Sequence, residues 1–290
     1  ILLLGGFAAL AGWFAGVPVR LSTQAAIDFR FAPGGKRLAW TVASKAGDAN
    51  GDVFIADGEG EAVKAASRVT QFFFGADGTL GVLAGSTGSM LATFATLGAS
   101  ETGLAKEVSR NVRHATFSRR GAYAILTRAT VGNSSFSTEL LVHKVGAAAD
   151  EKPVVIDVAP GGYEVDEDAG RIVYKSKCMD EGRACTLLVA PLLGGNTKQL
   201  ATRVAAFEPL QDTLVAAVTS RRAGKGTAKL TFALGVVDAG AEKPALRVLD
   251  NDMTGSFAVI GRDRRTIAYV VDDPKRAGLY LVDRDATPAE

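Results

Sequence analysis

The sequence predicts an all-β protein: a six-bladed β-propeller of four-stranded antiparallel blades, closed by an N-terminal strand and preceded by an N-terminal transmembrane helix. Three observations predict it. A charge-free apolar stretch ends at Pro18. Beyond it, short apolar runs alternate with turn clusters rich in Gly, Asp, Asn and Ser. Those runs recur as a strand–turn–strand unit at a spacing of roughly 43 to 52 residues, the range of a four-stranded propeller blade.

The first element is Ile1 to Val17, ILLLGGFAALAGWFAGV. As a helix it is roughly 25 Å long, and a few more apolar residues upstream would complete a membrane span. Pro18 stops it, and the Trp13 indole near its end suits a membrane interface. Ala8, Gly12 and Gly16 repeat every fourth residue, so small side chains line one face where another helix can approach. Two other readings exist: a signal peptide cleaved at Ala9-Leu10-Ala11, and a buried helix of a soluble domain. The lack of any polar face argues against the last.

The blades occupy residues 18–286, leaving 287–290 as a tail. Their first two strands begin at Ile27, Val69, Val112, Gly162, Val204 and Ser256. A third strand follows each, near Asp52, Met90, Thr138, Thr186, Leu230 and Gly278. A fourth follows near Glu61, Pro153, Thr197 and Ala245, with a weak counterpart near Leu104. The last unit lacks a fourth strand, and Val17-Pro-Val-Arg-Leu-Ser-Thr resembles a stray one. Pairing that segment onto the last blade would hide an open sheet edge. Gly35, Gly78, Gly121 and Gly170 take equivalent places in the hairpin turns, where positive φ is needed. The apolar runs alternate imperfectly, as blades buried on both faces require.

Phe31-APGGKRLAW, Phe117-SRRGAYAIL and Phe74-GADGTLGVL resemble the strand–turn–strand mark of TolB-type, WD40-like bacterial propeller repeats. The resemblance covers nearly all of residues 17–286. It implies the propeller fold, a cell-envelope setting and partner binding. The additional N-terminal α/β domain of TolB has no room here, so that family's site residues do not carry over.

Composition narrows the chemistry. A net charge of +2, from 33 basic and 31 acidic residues, lacks the basic footprint of a nucleic-acid binder. Two Cys and two His leave little for a metal centre. Cys178 and Cys185 flank Met-Asp-Glu-Gly-Arg-Ala at facing strand ends of the fourth blade, a spacing that suits a disulfide stapling the hairpin for about 2 kcal/mol. Two free thiols are the other reading.

Asp48-Ala-Asn50-Gly51-Asp52 resembles the opening of a calcium loop, but it lacks the distal acid and reads more simply as a turn. Asp166-Glu167-Asp168 and Asp272-Asp273 read as exposed hairpin charges, and Arg119-Arg120, Arg221-Arg222 and Arg262 to Arg265 as solvated turns. His114 and His143 lack a partnering nucleophile in any motif, and Gly85-Ser86-Thr87-Gly88-Ser89 is not a nucleophile elbow.

The expected function is therefore non-catalytic, with no metal or cofactor. It is a membrane-anchored subunit or scaffold of an inner-membrane complex, with the propeller facing the periplasm and binding other protein subunits. Lipid is contacted through the N-terminal helix. The alternatives are a lactonase- or cyclase-like enzyme and a secreted binding protein released after Ala11. The enzyme would use first-strand residues around the channel: Asp28, Arg30, Arg113, His114, Glu164 and Glu208.

Overall fold

The computed structural model describes residues 21–24, 26–43, 50–58, 60–85, 91–131, 136–147, 151–158, 160–222, 230–255, 258–271 and 273–286, with backbone only at 131, 136, 222 and 230. The described chain is all-β apart from one 3₁₀ turn at Asp180–Gly182. It divides into two compact units, Ile1–Val155 and Ile156–Glu290.

The expected inner-membrane location through a single N-terminal helix is corrected. Among the described residues no helix is long and apolar enough to cross a membrane. The strands run for 2 to 12 residues and bond laterally to one another, which leaves no continuous apolar helix. Residues 1–17, with Ala8, Gly12, Gly16 and Trp13, lie outside the described residues. Of the expected closing strand, 17–20 lie outside them too, and Leu21–Gln24 form no strand.

Unit 1 is an antiparallel meander. Its sheet runs β1 (Ala26–Phe31), β2 (Arg37–Ala43), β3 (Gly51–Asp57), β4 (Val63–Phe74), β5 (Leu80–Gly85), β6 (Ala92–Leu97), β7 (Lys106–Phe117), β8 (Tyr123–Val131), β9 (Phe136–Lys144) and β10 (Val154–Val158) in simple order. Unit 2 repeats the plan: β11 (Tyr163–Asp166), β12 (Arg171–Met179), β13 (Ala184–Pro191), β14 (Lys198–Pro209), β15 (Leu214–Arg222), β16 (Leu230–Asp238) and β17 (Arg247–Met253). β18 (Val259–Ile260), β19 (Thr266–Val271) and β20 (Gly278–Asp283) end it, with β19 between the other two.

At three of the places where the sequence reads as the fourth strand of one blade and then the first of the next, the structure has one continuous strand. β4, β7 and β14 are each 12 residues long. The sixth residue of each is left-handed: Arg68 at φ 54°, Asn111 at 58° and Arg203 at 56°. A buried valine follows and pairs with both neighbours. Val69 faces Gly51 and Ala84, Val112 faces Ala92 and Arg128, and Val204 faces Cys185 and Thr219. A bulge with one left-handed residue bends the strand and changes its ladder partners.

Within each unit, successive blades pack face to face. Ala39, Val53 and Ile55 of the first blade bury against Phe72, Leu80, Val82 and Leu97 of the second. The second meets the third through Phe73, Phe94, Leu126 and Leu141, with the Phe73 ring edge-on to Phe117 at 4.6 Å between centroids. At roughly 1.5–3 kcal/mol for each large side chain buried, these interfaces are the main source of cohesion. In unit 2, Val189, Val204, Val215 and Val237 form one such layer, and Val218, Leu234, Ile267 and Tyr269 the next.

Buried arginines tie the hairpins together. Arg37 opens β2, grips both carboxylate oxygens of Asp57 at 2.7 Å, and donates to the carbonyls of Gly98 and Glu101. Arg171 opens β12, holds one carboxylate oxygen of Asp166 with Nε at 3.0 Å and Nη2 at 2.9 Å, and donates to the carbonyls of Asp212 and Thr213. A planar guanidinium suits this fork.

The expected turn glycines Gly35, Gly78, Gly121 and Gly170 all have positive φ. At Gly121 the requirement is double, because a Cβ would also strike the backbone of Ala76 in the preceding blade. In the last two blades of unit 2 the slot is filled by Asp212 and Arg264, both left-handed without being glycine.

Candidate functional site

Within each unit, first strands of adjacent blades line a cleft. In unit 1 a cleft of about 140 Å³ lies between β1 and β4, lined by Asp28, Arg30, Thr41, Thr70 and Phe72 among others. Its charges are spent internally. Arg30 pairs with Asp28 at 3.4 Å and lies 5.4 Å above the Phe72 ring. Such a cation–π contact holds a guanidinium in place.

In unit 2 the corresponding cleft, about 250 Å³, lies between the first strands of the last two blades. Ala206, Ala216, Val218, Ala258 and Ile260 wall it, and Glu208 is its one charged group. Ala206 pairs with Val218 and Glu208 with Ala216, so all four share one sheet face. Glu208 makes no ion pair with a described residue. Glu164 stands near it: partial desolvation and the negative charge of Glu208 push the Glu164 carboxyl up, while Arg264 pulls the other way.

A third cleft, about 280 Å³ in unit 1, is lined by Glu101, Lys106, His143, Gly98 and Thr79 among others. Glu101 and Lys106 pair at 2.6 Å. His143 is buried, and burial lowers its pKa against the opposing pull of Glu151.

The remaining residues singled out from sequence fall as follows. Arg113 and His114 are exposed on β7. Asp52 lies within β3, paired with Lys64 at 2.5 Å, and Asn50 is buried with its amide toward Gly85. Asp48 lies outside the described residues, as do 86–89 and Asp272. Among the described residues no group of three or more His, Cys, Asp or Glu is placed to hold a metal. Cys178 and Cys185 form a disulfide across β12 and β13. Gly161 passes so close that a Cβ there would collide with the Cys178 sulfur. Arg265, expected as a solvated turn charge, pairs with Asp283 and Asp285.

Sequence reasoning missed two apolar stripes. On the last blade Val259 pairs with Ala268 and Ala268 with Leu281, while Val270 pairs with Leu279. These residues share the face opposite the packed one, and Leu279 and Leu281 are 73% and 71% exposed. On the first blade Ile27, Phe29 and Phe31 alternate along β1, with Phe29 57% exposed. Period-two alternation was the available signal. It does not tell a buried face from an uncovered one.

No family model matches the chain, and no curated protein matches it in sequence. Among solved structures, prolyl oligopeptidase B from Galerina marginata is similar at a TM-score of 0.50 and 11% identity, over 91% of this chain and 43% of that one. The β-propeller domain of the Trilobed protease from Pyrococcus furiosus scores 0.45 at 11% identity, covering 91% and 84%. TolB from Acinetobacter baumannii scores 0.37 at 14% identity, covering 87% and 62%. This chain therefore spans less than half the length of the oligopeptidase. The neighbours include β-propeller proteins, and the likeness is one of fold alone.

Proposed function

We propose that the chain is a six-bladed β-propeller that acts as a non-catalytic protein-interaction subunit of a multiprotein assembly. The observation that carries this reading is the stripe on the last blade. Val259, Ala268, Val270, Leu279 and Leu281 form a continuous apolar sheet face turned to solvent. Isolated exposed apolar residues are ordinary, whereas a contiguous rank of them marks a surface that another protein covers. β20 strengthens the reading, because among the described residues its only strand neighbour is β19. An apolar face with an open edge suits a partner subunit that brings its own apolar sheet or strand.

Native purification of the chain, with mass spectrometry of stoichiometric companions, tests this. The Leu279→Lys/Leu281→Lys variant is then compared. A companion held by the wild type and lost by the variant, at unchanged Tm, supports the proposal. A chain that purifies without companions counts against it. So does a variant whose Tm falls by several degrees while its companions stay bound, which would mean that the stripe is covered within the chain itself.

A further inference from the structure

The cleft beside Glu208 has a chemistry that the interaction reading does not use. Its walls are the methyl and methylene groups of Ala206, Ala216, Val218, Ala258 and Ile260. Ala216 and Val218 are buried, and the other three pack against the same apolar layer, so the walls are held in place from behind. One carboxylate, the exposed Glu208, stands at this apolar surface, and no cation among the described residues pairs with it. A second, Glu164, adds negative charge nearby; partial desolvation and Glu208 push it toward its neutral form, against the pull of Arg264. The unit 1 cleft shows what a self-satisfied version looks like: there Arg30 supplies the positive charge and Phe72 holds it.

We propose that the unit 2 cleft binds a primary ammonium group carried on a short apolar stem, the ammonium meeting Glu208 and the stem lying along the alanine, valine and isoleucine walls. A divalent metal fits poorly, because it needs about six oxygen ligands and these walls offer none beyond the carboxylate. A neutral apolar ligand would use the walls alone and leave the exposed Glu208 carboxylate to water. An alkylammonium satisfies both parts of the cleft, and the charge-assisted contact is the strong one. The same group occurs on a free amine and on a lysine of a protein partner.

The test uses the full chain with hexylammonium, hexanol and the peptide acetyl-Ala-Lys-Ala-amide, titrated by chemical-shift perturbation. Hexylammonium is expected to bind about two- to fivefold more tightly than hexanol, as an ion pair to an exposed carboxylate implies. Glu208→Gln is expected to remove that preference while leaving hexanol affinity unchanged. Tighter binding of hexylammonium than of the peptide identifies a small amine as the ligand, and the reverse order identifies a partner's lysine. Equal affinity for hexylammonium and hexanol overturns the proposal. Absence of saturable hexylammonium binding, or full retention of the preference in Glu208→Gln, overturns it too. The hexylammonium–hexanol comparison needs no variant, so a folding defect cannot mask the answer. The cleft and the apolar stripe lie on opposite faces of the last blade, so this proposal and the assembly reading can fail separately.

Discussion

The two units follow one strand plan and finish it differently. In unit 1 the cleft between first strands is closed by its own ion pair and an aromatic ring, Asp28–Arg30 over Phe72. In unit 2 the equivalent cleft sets the exposed Glu208 carboxylate, with no ion-pair partner among the described residues, beside apolar walls. The hairpin turns diverge in the same way. Unit 1 fills its left-handed slots with glycine, and Gly121 lies directly on the preceding turn. Unit 2 fills two of its slots with Asp212 and Arg264, left-handed without being glycine. A repeat backbone constrains dihedral angles and strand pairing. It does not constrain which polar groups are satisfied locally, and that is where sites can arise.

The largest test of this contrast is at the turns. Gly121→Ala is expected to cost about 3 kcal/mol or more, from the left-handed penalty and the collision with Ala76, read by chemical denaturation. A cost under about 1 kcal/mol would show that the packed turn of unit 1 is no tighter than those of unit 2.

Next comes the buried charge of unit 2. The Asp250 side chain is 3% exposed and accepts hydrogen bonds from Arg276, the Tyr269 hydroxyl and the Asp252 amide. Because Arg276 is itself partly exposed, Asp250→Ala is expected to cost about 2 kcal/mol, below the range for a fully buried pair. No change in midpoint would remove this network from the account of the last blade.

The units should also differ in acid. His143 in unit 1 has a lowered pKa, so the unfolded chain takes up its proton first. The stability from keeping it neutral is complete above about pH 6.5 and is lost as pH falls below that value toward the folded pKa. For Asp250, burial alone would raise the pKa, but the hydrogen bonds from Arg276, Asp252 and Tyr269 outweigh it and hold the carboxyl low. Its contribution persists down to about pH 4 and is lost below. Hydrogen exchange resolved by unit, between pH 7 and 5, should show unit 1 loosening first, and His143→Asn should flatten that response. Equal loosening of both units would break the distinction.

The smallest effect is a gain. Arg264→Gly relieves a left-handed non-glycine residue and is expected to stabilise by about 0.5–1 kcal/mol, seen as a rise in Tm. A loss instead would show that the Arg264 side chain contributes more than its backbone strain costs.

Much of this architecture is readable from local chemistry. β-branched and aromatic runs between turn clusters mark the strands, and Gly35, Gly78, Gly121 and Gly170 mark the hairpins through a dihedral requirement that few other residues meet cheaply. Cys178 and Cys185 reveal their pairing because they sit at facing ends of one short hairpin. The left-handed residues Arg68, Asn111 and Arg203 leave no such trace, since none belongs to the residue types that announce a turn except Asn111. The apolar run at 1–17 announced a spanning helix by hydropathy alone, and no helix of that kind occurs among the described residues.

The sequence by itself determined the period of the repeat, the strand order and the turn positions, because these depend on φ, on side-chain branching and on spacing along the chain. The tertiary structure alone decided which charges are spent and which are left over. Arg37 reaches carbonyls more than sixty residues away, and Glu164 meets the field of Glu208 from another blade. Such partnerships depend on distance through space, and a linear chain does not encode that distance until its blades have stacked.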